Sequence, residues 1–273
     1  LDGTIPATIS DAPALIDFYI SGNSIEGTLP RELGSLTTLV NFDISNNKLS
    51  GSLPAGIANF SSLQTLIAKS NSLEGKLPSL RYLTQLTALQ LNKNRLSGEL
   101  TDGDDFLLGS RATIEDVNMQ SNEFTGHLPA NFTDYLSLEK LRFQDNHFTG
   151  VVPLLPSGLK KLTLGGSGNH WHCPFPENPD NDEIIRNALK ELDCYCRPGS
   201  YCPLLAPAGS RTKRCNSTCA TCTAGRFTNV SYSNSTEDGT QRGRIESGQG
   251  CYACVPGTAA AAEGATGCTA CPA

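Results

Sequence analysis

The sequence predicts an α/β-type repeat solenoid with a parallel β-sheet on its concave face, followed by a small disulfide-rich, irregular or β module. Two observations carry this. A phrase of asparagine, glycine, proline and regularly placed leucines returns along the first 170 residues, and all 11 cysteines fall after residue 172.

The phrase reads "GNSIEGTLP" from Gly22, "NNKLSGSLP" from Asn46, "SNSLEGKLP" from Ser70, "KNRLSGEL" from Lys93, "SNEFTGHLP" from Ser121 and "DNHFTGVVP" from Asp145. Ahead of each copy lies an apolar frame, opened by Leu15, Leu39, Leu63, Leu86, Ile114, Leu138 and Leu159, at steps of 24, 24, 23, 28, 24 and 21 residues. One such unit cannot bury its own leucines, so stacked units pool them into one long core. The run around Phe42 to Ile44 predicts one strand of a parallel sheet. At about 4.8 Å per strand, seven coils span roughly 30 Å. Each tight turn aims backbone groups inward, and these need partners. Asn23, Asn47, Asn71, Asn94, Asn122 and Asn146 are placed to supply them, one under another.

The pattern L-x-x-L-x-L-x-x-N-x-L-x-G-x-I/L-P resembles the plant-type leucine-rich repeat. It is similar to repeats in plant receptor kinases, in secreted inhibitors of wall-degrading enzymes and in protist surface antigens. The resemblance covers residues 1–170 and implies a fold rather than a function. Two departures stand out. Thr101 occupies a proline position and is followed by the insertion "DGDDFLLGSRA"; Ser167 stands where the last ladder asparagine belongs, which predicts that the ladder ends there against a cap.

That cap is expected over residues 171–195. Asp180 and Glu183 form a capping-box start after Pro179, and Ile184, Ile185, Ala188, Leu189 and Leu192 fall on one helical face. Trp171, the only tryptophan, and Phe175 are expected over the last coil. Cys173 is expected to pair with Cys194, with Cys196 as the rival partner.

Residues 196–273 repeat a smaller phrase: "CATCTAGRF" from Cys219, "CYACVPGTA" from Cys251 and "CTACPA" from Cys268, with "CRPGSYCP" from Cys196 as an opening variant. The segment is poor in large apolar residues and needs covalent staples. It resembles the short cysteine-rich modules beside ephrin-receptor and related extracellular domains. That resemblance implies the pairs Cys222–Cys251 and Cys254–Cys268. Cys196, Cys202, Cys215 and Cys219 then form two more bonds in one of three connectivities, and Cys271 is left over. The chain opens inside a repeat and closes inside a cysteine motif, which predicts a piece of a longer protein.

Dense cysteines and five sequons, at Asn59, Asn131, Asn216, Asn229 and Asn234, predict a glycosylated extracellular or cell-surface protein carrying covalent N-glycans. The net charge of −6, with scattered Lys and Arg, gives no electrostatic case for nucleic acid. No apolar run approaches the roughly 20 residues of a membrane span.

Site chemistry is sparse. The C-x-x-C pairs have variable spacing in an oxidising context, which argues against zinc. His170, His172 and Cys173 lack a fourth ligand, and read as part of the cap. Asp102, Asp104 and Asp105 fit a calcium loop for only three positions and read as a solvated turn. "GGSG" at Gly165 to Gly168 lacks the lysine and helix of a phosphate loop. No nucleophile motif, cofactor site or metal site is evident, so no enzyme is expected.

What remains is the outward row of the predicted sheet: Tyr19, Asp43, Ile67, Gln90, Asn118 and Arg142, ending at Thr163, with a second row from Ser21 to Gly165. Tyr19 and Ile67 offer apolar anchors, and Arg142 offers an acidic partner a charge. The expected function is non-enzymatic recognition or adhesion through this face, with a protein, peptide or glycan partner. The competing reading is a self-associating structural subunit of a coat, matrix or filament. A third is inhibition of a wall-degrading enzyme, which the cysteine-rich tail disfavours.

Overall fold

Proline closes every repeated phrase but the one ending at Leu100, and starts the next turn of chain. Pro6, Pro30 and Pro54 sit in extended backbone, with φ between −76° and −67°, immediately before short 3-10 helices at Ala7–Asp11, Arg31–Ser35 and Ala55–Asn59. Its ring fixes φ and withholds an N–H that the first turn does not need. Shorter 3-10 turns at Leu108–Ser110 and Phe132–Asp134 do the same work in later coils. These geometries come from a computed structural model. It describes residues 1–100, 107–130, 132–172 and 183–190, together with the backbone of seven two-residue strands between 194 and 270.

The chain divides into two units, residues 1–170 with 176–192 and residues 171–175 with 193–273, so the segment 171–195 is shared between them. The first unit is the solenoid. Its front sheet has seven parallel strands in chain order: Asp17–Tyr19, Asn41–Asp43, Thr65–Ile67, Ala88–Gln90, Asp116–Asn118, Lys140–Arg142 and Lys161–Thr163. A second parallel sheet runs through Asp2–Gly3, Ser24–Thr28, Lys48–Gly51, Ser72–Lys76, Arg95–Glu99, Glu123–Gly126 and His147–Val151. The "loop" phrase is therefore itself a strand. The leucine-rich-repeat solenoid with parallel sheets is the fold.

Between the sheets lies the pooled core. Leu39, Phe42, Ile44, Leu49, Ile57, Phe60, Leu63 and Leu66 are all fully buried. Rings bind consecutive coils: Phe18 stacks on Phe42 at 5.5 Å, and Phe124 stacks on Phe148 at 6.2 Å.

The asparagines form the expected ladder. Asn47 donates from Nδ2 to the carbonyls of Ile20 and Ile44 and accepts from Ile25 N–H at 3.0 Å. Asn71, Asn94, Asn122 and Asn146 repeat these contacts coil after coil. The residue ahead of each takes a left-handed turn, with φ of 53° at Asn46 and 55° at Ser70.

The ladder does not end at Ser167. Asn169 occupies the last rung, donating to Phe143 and Leu164 carbonyls at 2.9 and 2.8 Å and accepting from Phe148 N–H at 3.0 Å. The turn Gly165 to Gly168 is two residues longer than in earlier coils, and Gly166 with φ of 100° lets it close. The short helix of this unit spans Glu183–Lys190. Ile185 is buried, whereas Ile184, expected on the same face, is 38% exposed.

In the second unit Trp171 and His172 pair in parallel with Cys194 and Tyr195. Three antiparallel ladders follow: Ser200–Tyr201 with Ala220–Thr221, Arg226–Phe227 with Tyr252–Ala253, and Thr258–Ala259 with Thr269–Ala270. The second strand of each is the x-x of a C-x-x-C phrase.

Candidate functional site

Strand alternation builds the front face. In Asn41–Asp43, Phe42 is fully buried and its two neighbours face outward, and the same holds for Leu66, Leu89, Val117 and Leu141 in later strands. Register aligns the outward residues across strands. Tyr19, Asp43, Ile67, Gln90, Asn118, Arg142 and Thr163 are successive cross-strand partners, forming one continuous row. Beside it runs Asp17, Asn41, Thr65, Ala88, Asp116, Lys140 and Lys161.

The two ends of this face differ. At the first strands, Tyr19 is 61% exposed. Asn41 donates to Asp17 at 2.7 Å and Thr65 Oγ1 donates to Asn41 at 2.8 Å, so polar groups here satisfy one another. Asp43 accepts from Ser45 N–H at 2.9 Å. Ile67 and Gln90 are half-buried in the middle of the row, and Asn118 is buried, its Oδ1 accepting from Gln120 N–H.

At the last strands, Arg142 is already engaged: its Nη2 donates to Asp116 Oδ1, and Gln90 Nε2 reaches Asp116 Oδ2 at 3.4 Å. The sequence left this charge without a partner within the chain, because Asp116 lies one coil away. Arg142 Nε, Gln144 Oε1, Thr163 Oγ1 and Asn92 Oδ1 are buried atoms without a hydrogen-bond partner. Sequence reading singled out neither Asn92 nor Gln144 as an orphan, since only cross-strand register reveals what their side chains lack. At the edge of the sheet, Lys160 donates to Glu139, and that hydrogen bond holds the Glu139 carboxyl below its ordinary range. A backbone hydrogen bond does the same for Glu32.

Of the expected glycan sites, Asn59 is exposed at the end of its 3-10 helix, and its Nδ2 donates to Gly34 carbonyl at 3.2 Å. Asn131, Asn216, Asn229 and Asn234 lie outside the described residues, as do the side chains of all the cysteines and the Asp102, Asp104 and Asp105 cluster. Among the described residues no group of three or more His, Cys, Asp or Glu stands close enough to hold a metal, and no helix is long and apolar enough to cross a membrane.

The Leucine Rich Repeat family model matches residues 14–36 and 38–60. No curated protein matches the chain. Among solved structures, the chain is similar to the plant peptide hormone receptor RGFR1 in complex with RGF2: 28% identity, TM-score 0.58, covering 71% of this chain and 30% of that one. It is similar to the leucine-rich-repeat ectodomain of the membrane receptor kinase GASSHO1/SCHENGEN3 from Arabidopsis thaliana, in complex with CASPARIAN STRIP INTEGRITY FACTOR 2. There the identity is 26% and the TM-score 0.59, over 71% of this chain and 23% of that one. A plant ice-binding protein, at 23% identity, TM-score 0.52 and coverage of 72% and 68%, shares the fold alone. The chain thus spans less than a third of the length of these two receptor ectodomains. It carries leucine-rich repeats, and its solenoid is similar in structure to the ectodomains of plant receptors.

Proposed function

We propose that this chain is a non-enzymatic, extracellular recognition segment whose front sheet binds a protein or peptide partner. The observation that carries the reading is the outward row from Tyr19 to Thr163. Its residues stand in continuous register on a rigid sheet, outside the leucine core, and include an anchor as exposed as Tyr19. Regular elements hold such side chains in fixed positions, which lowers the entropy lost on binding. The likeness to receptor ectodomains solved with their partners supports it. Asn59 would carry a glycan on the 3-10 side of the coil, away from the front row. The cysteine pairs implied by the ephrin-receptor resemblance, Cys222–Cys251 and Cys254–Cys268, belong to the same proposal.

Selection of peptides from a displayed random library with the full glycosylated chain tests it. Selected peptides are expected to lose roughly 1–2 kcal/mol of affinity, about five- to thirtyfold, on Tyr19→Ala or Arg142→Ala. Unchanged affinity for both variants sinks the front-sheet reading. Long regular assemblies in light scattering of the same sample would favour the structural-subunit alternative instead.

A further inference from the structure

The strands of the front face are polarised in charge. Its first three strands carry the outward carboxylates Asp17 and Asp43 and no cation, the nearest being Lys69, two residues beyond Ile67. The last three carry Lys140, Arg142 and Lys161 against the single carboxylate Asp116. Lys140 and Lys161 are direct cross-strand partners, both exposed and without an ion-pair partner among the described residues. Two ammonium groups on neighbouring strands, about 4.8 Å apart at their backbones, repel in the free protein. Arg142 and Thr163 stand two residues further along the same strands, about 6.6 Å away, with Nε and Oγ1 unpartnered. Acceptors also lack donors: Asn92, only 6% exposed, has no partner for Oδ1, and Gln144 has none for Oε1. Leaving such groups unpaired costs on the order of 1–3 kcal/mol each. These atoms are closed to solvent, so the accessible charge of this end belongs to the two lysines.

We infer that the end of the front sheet formed by Lys140, Arg142, Lys161 and Thr163 is a recognition site for an extended, acidic peptide segment. The inference rests on the front-sheet reading above and gives that reading its ligand class. Side-chain carboxylates of the partner sit between the two exposed lysines. Asp116 already engages the Arg142 guanidinium through Nη2, so the two lysines carry the free charge. Asp17 and Asp43 repel an acidic segment from the other end, so the charges fix where it binds.

The test is fluorescence anisotropy with dye-labelled, C-terminally amidated hexaglutamate on the full chain at low ionic strength. Hexaglutamine and oligogalacturonate serve as neutral and anionic-sugar comparisons. Hexaglutamate is expected to bind at least about tenfold more tightly than either, and to weaken steeply with salt. The double change Lys140→Gln with Lys161→Gln is expected to cost about tenfold or more, while Lys48→Gln with Arg95→Gln on the second sheet leaves binding unchanged. Equal binding of hexaglutamine, preference for the oligogalacturonate, or equal loss from the second-sheet pair overturns the inference. A library peptide that depends on Tyr19 but not on Lys140 and Lys161 also overturns it, and leaves the front-sheet reading intact. Indifference to all of these substitutions overturns both.

Discussion

Asn146 shows what a single residue does in this fold. It is 1% exposed and makes four hydrogen bonds, donating to the carbonyls of Met119, Phe143 and Gln144 and accepting from Phe124 N–H. Alanine there strands backbone groups of two coils without water. Asn146→Ala is expected to lower stability by roughly 2–5 kcal/mol in urea unfolding, given 1–3 kcal/mol per orphaned group. Asn23→Ala, at a half-buried rung near the first coil, should cost clearly less. Equal costs for the two would mean that the ladder is not what holds the turns. Six of the rungs were legible because spacing alone marks them. The seventh was not: Ser167 fits the count, but the two additional residues of the Gly165 to Gly168 turn put Asn169 in the place. A linear template has no means of seeing a turn lengthen. Arg142 failed to read for a related reason, since its partner Asp116 is 26 residues away in sequence and adjacent only after the coils stack.

At the scale of the element, two glycines do different jobs. Gly51 has φ of 70°, and a Cβ there would lie 2.9 Å from Thr28 Cγ2 on the preceding coil. Gly34 has ordinary φ, yet its Cβ would lie 2.7 Å from Gly56 Cα, backbone against side chain with nothing flexible to yield. The first problem is one of conformation, about 1–2 kcal/mol for an L-residue in left-handed backbone, softened where Thr28 moves. The second is one of space between two 3-10 helices. Gly51→Ala is therefore expected to be partly rescued by Thr28→Ser or Thr28→Ala, whereas no side-chain change rescues Gly34→Ala, because the clash is with Gly56 backbone. Thermal unfolding of the singles and doubles separates these cases, and additivity in the Gly51–Thr28 pair would defeat the account. The strands were readable from alternation around Phe42 and its counterparts. The 3-10 helices were not, because five residues following a proline show no apolar period long enough to distinguish them from a turn.

For the solenoid unit as a whole, the pattern of contacts sets how damage spreads. Each front strand hydrogen-bonds only to its neighbours before and after, and Asp17–Tyr19 has just one neighbour in its sheet. Stability in such an array is close to a sum of local terms and nearest-neighbour couplings, and opening starts at weakly coupled ends. Phe42 sits where that coupling is strong: it is fully buried, stacks on Phe18 of the coil before and meets Phe60 edge-on at 6.0 Å. Phe42→Ala removes the ring that links these coils and should cost about 3–5 kcal/mol of local stability. In hydrogen exchange followed by mass spectrometry, peptides covering 17–19 and 65–67 should lose protection. Peptides covering 140–142, four strands away, should keep theirs, since their own packing is built from Phe143, Phe148 and Phe132. A uniform loss across all seven front strands would instead show one cooperative block. In that case a change in the first coils would also disturb the basic end of the face, and the two ends could not act as separate determinants of where a partner binds.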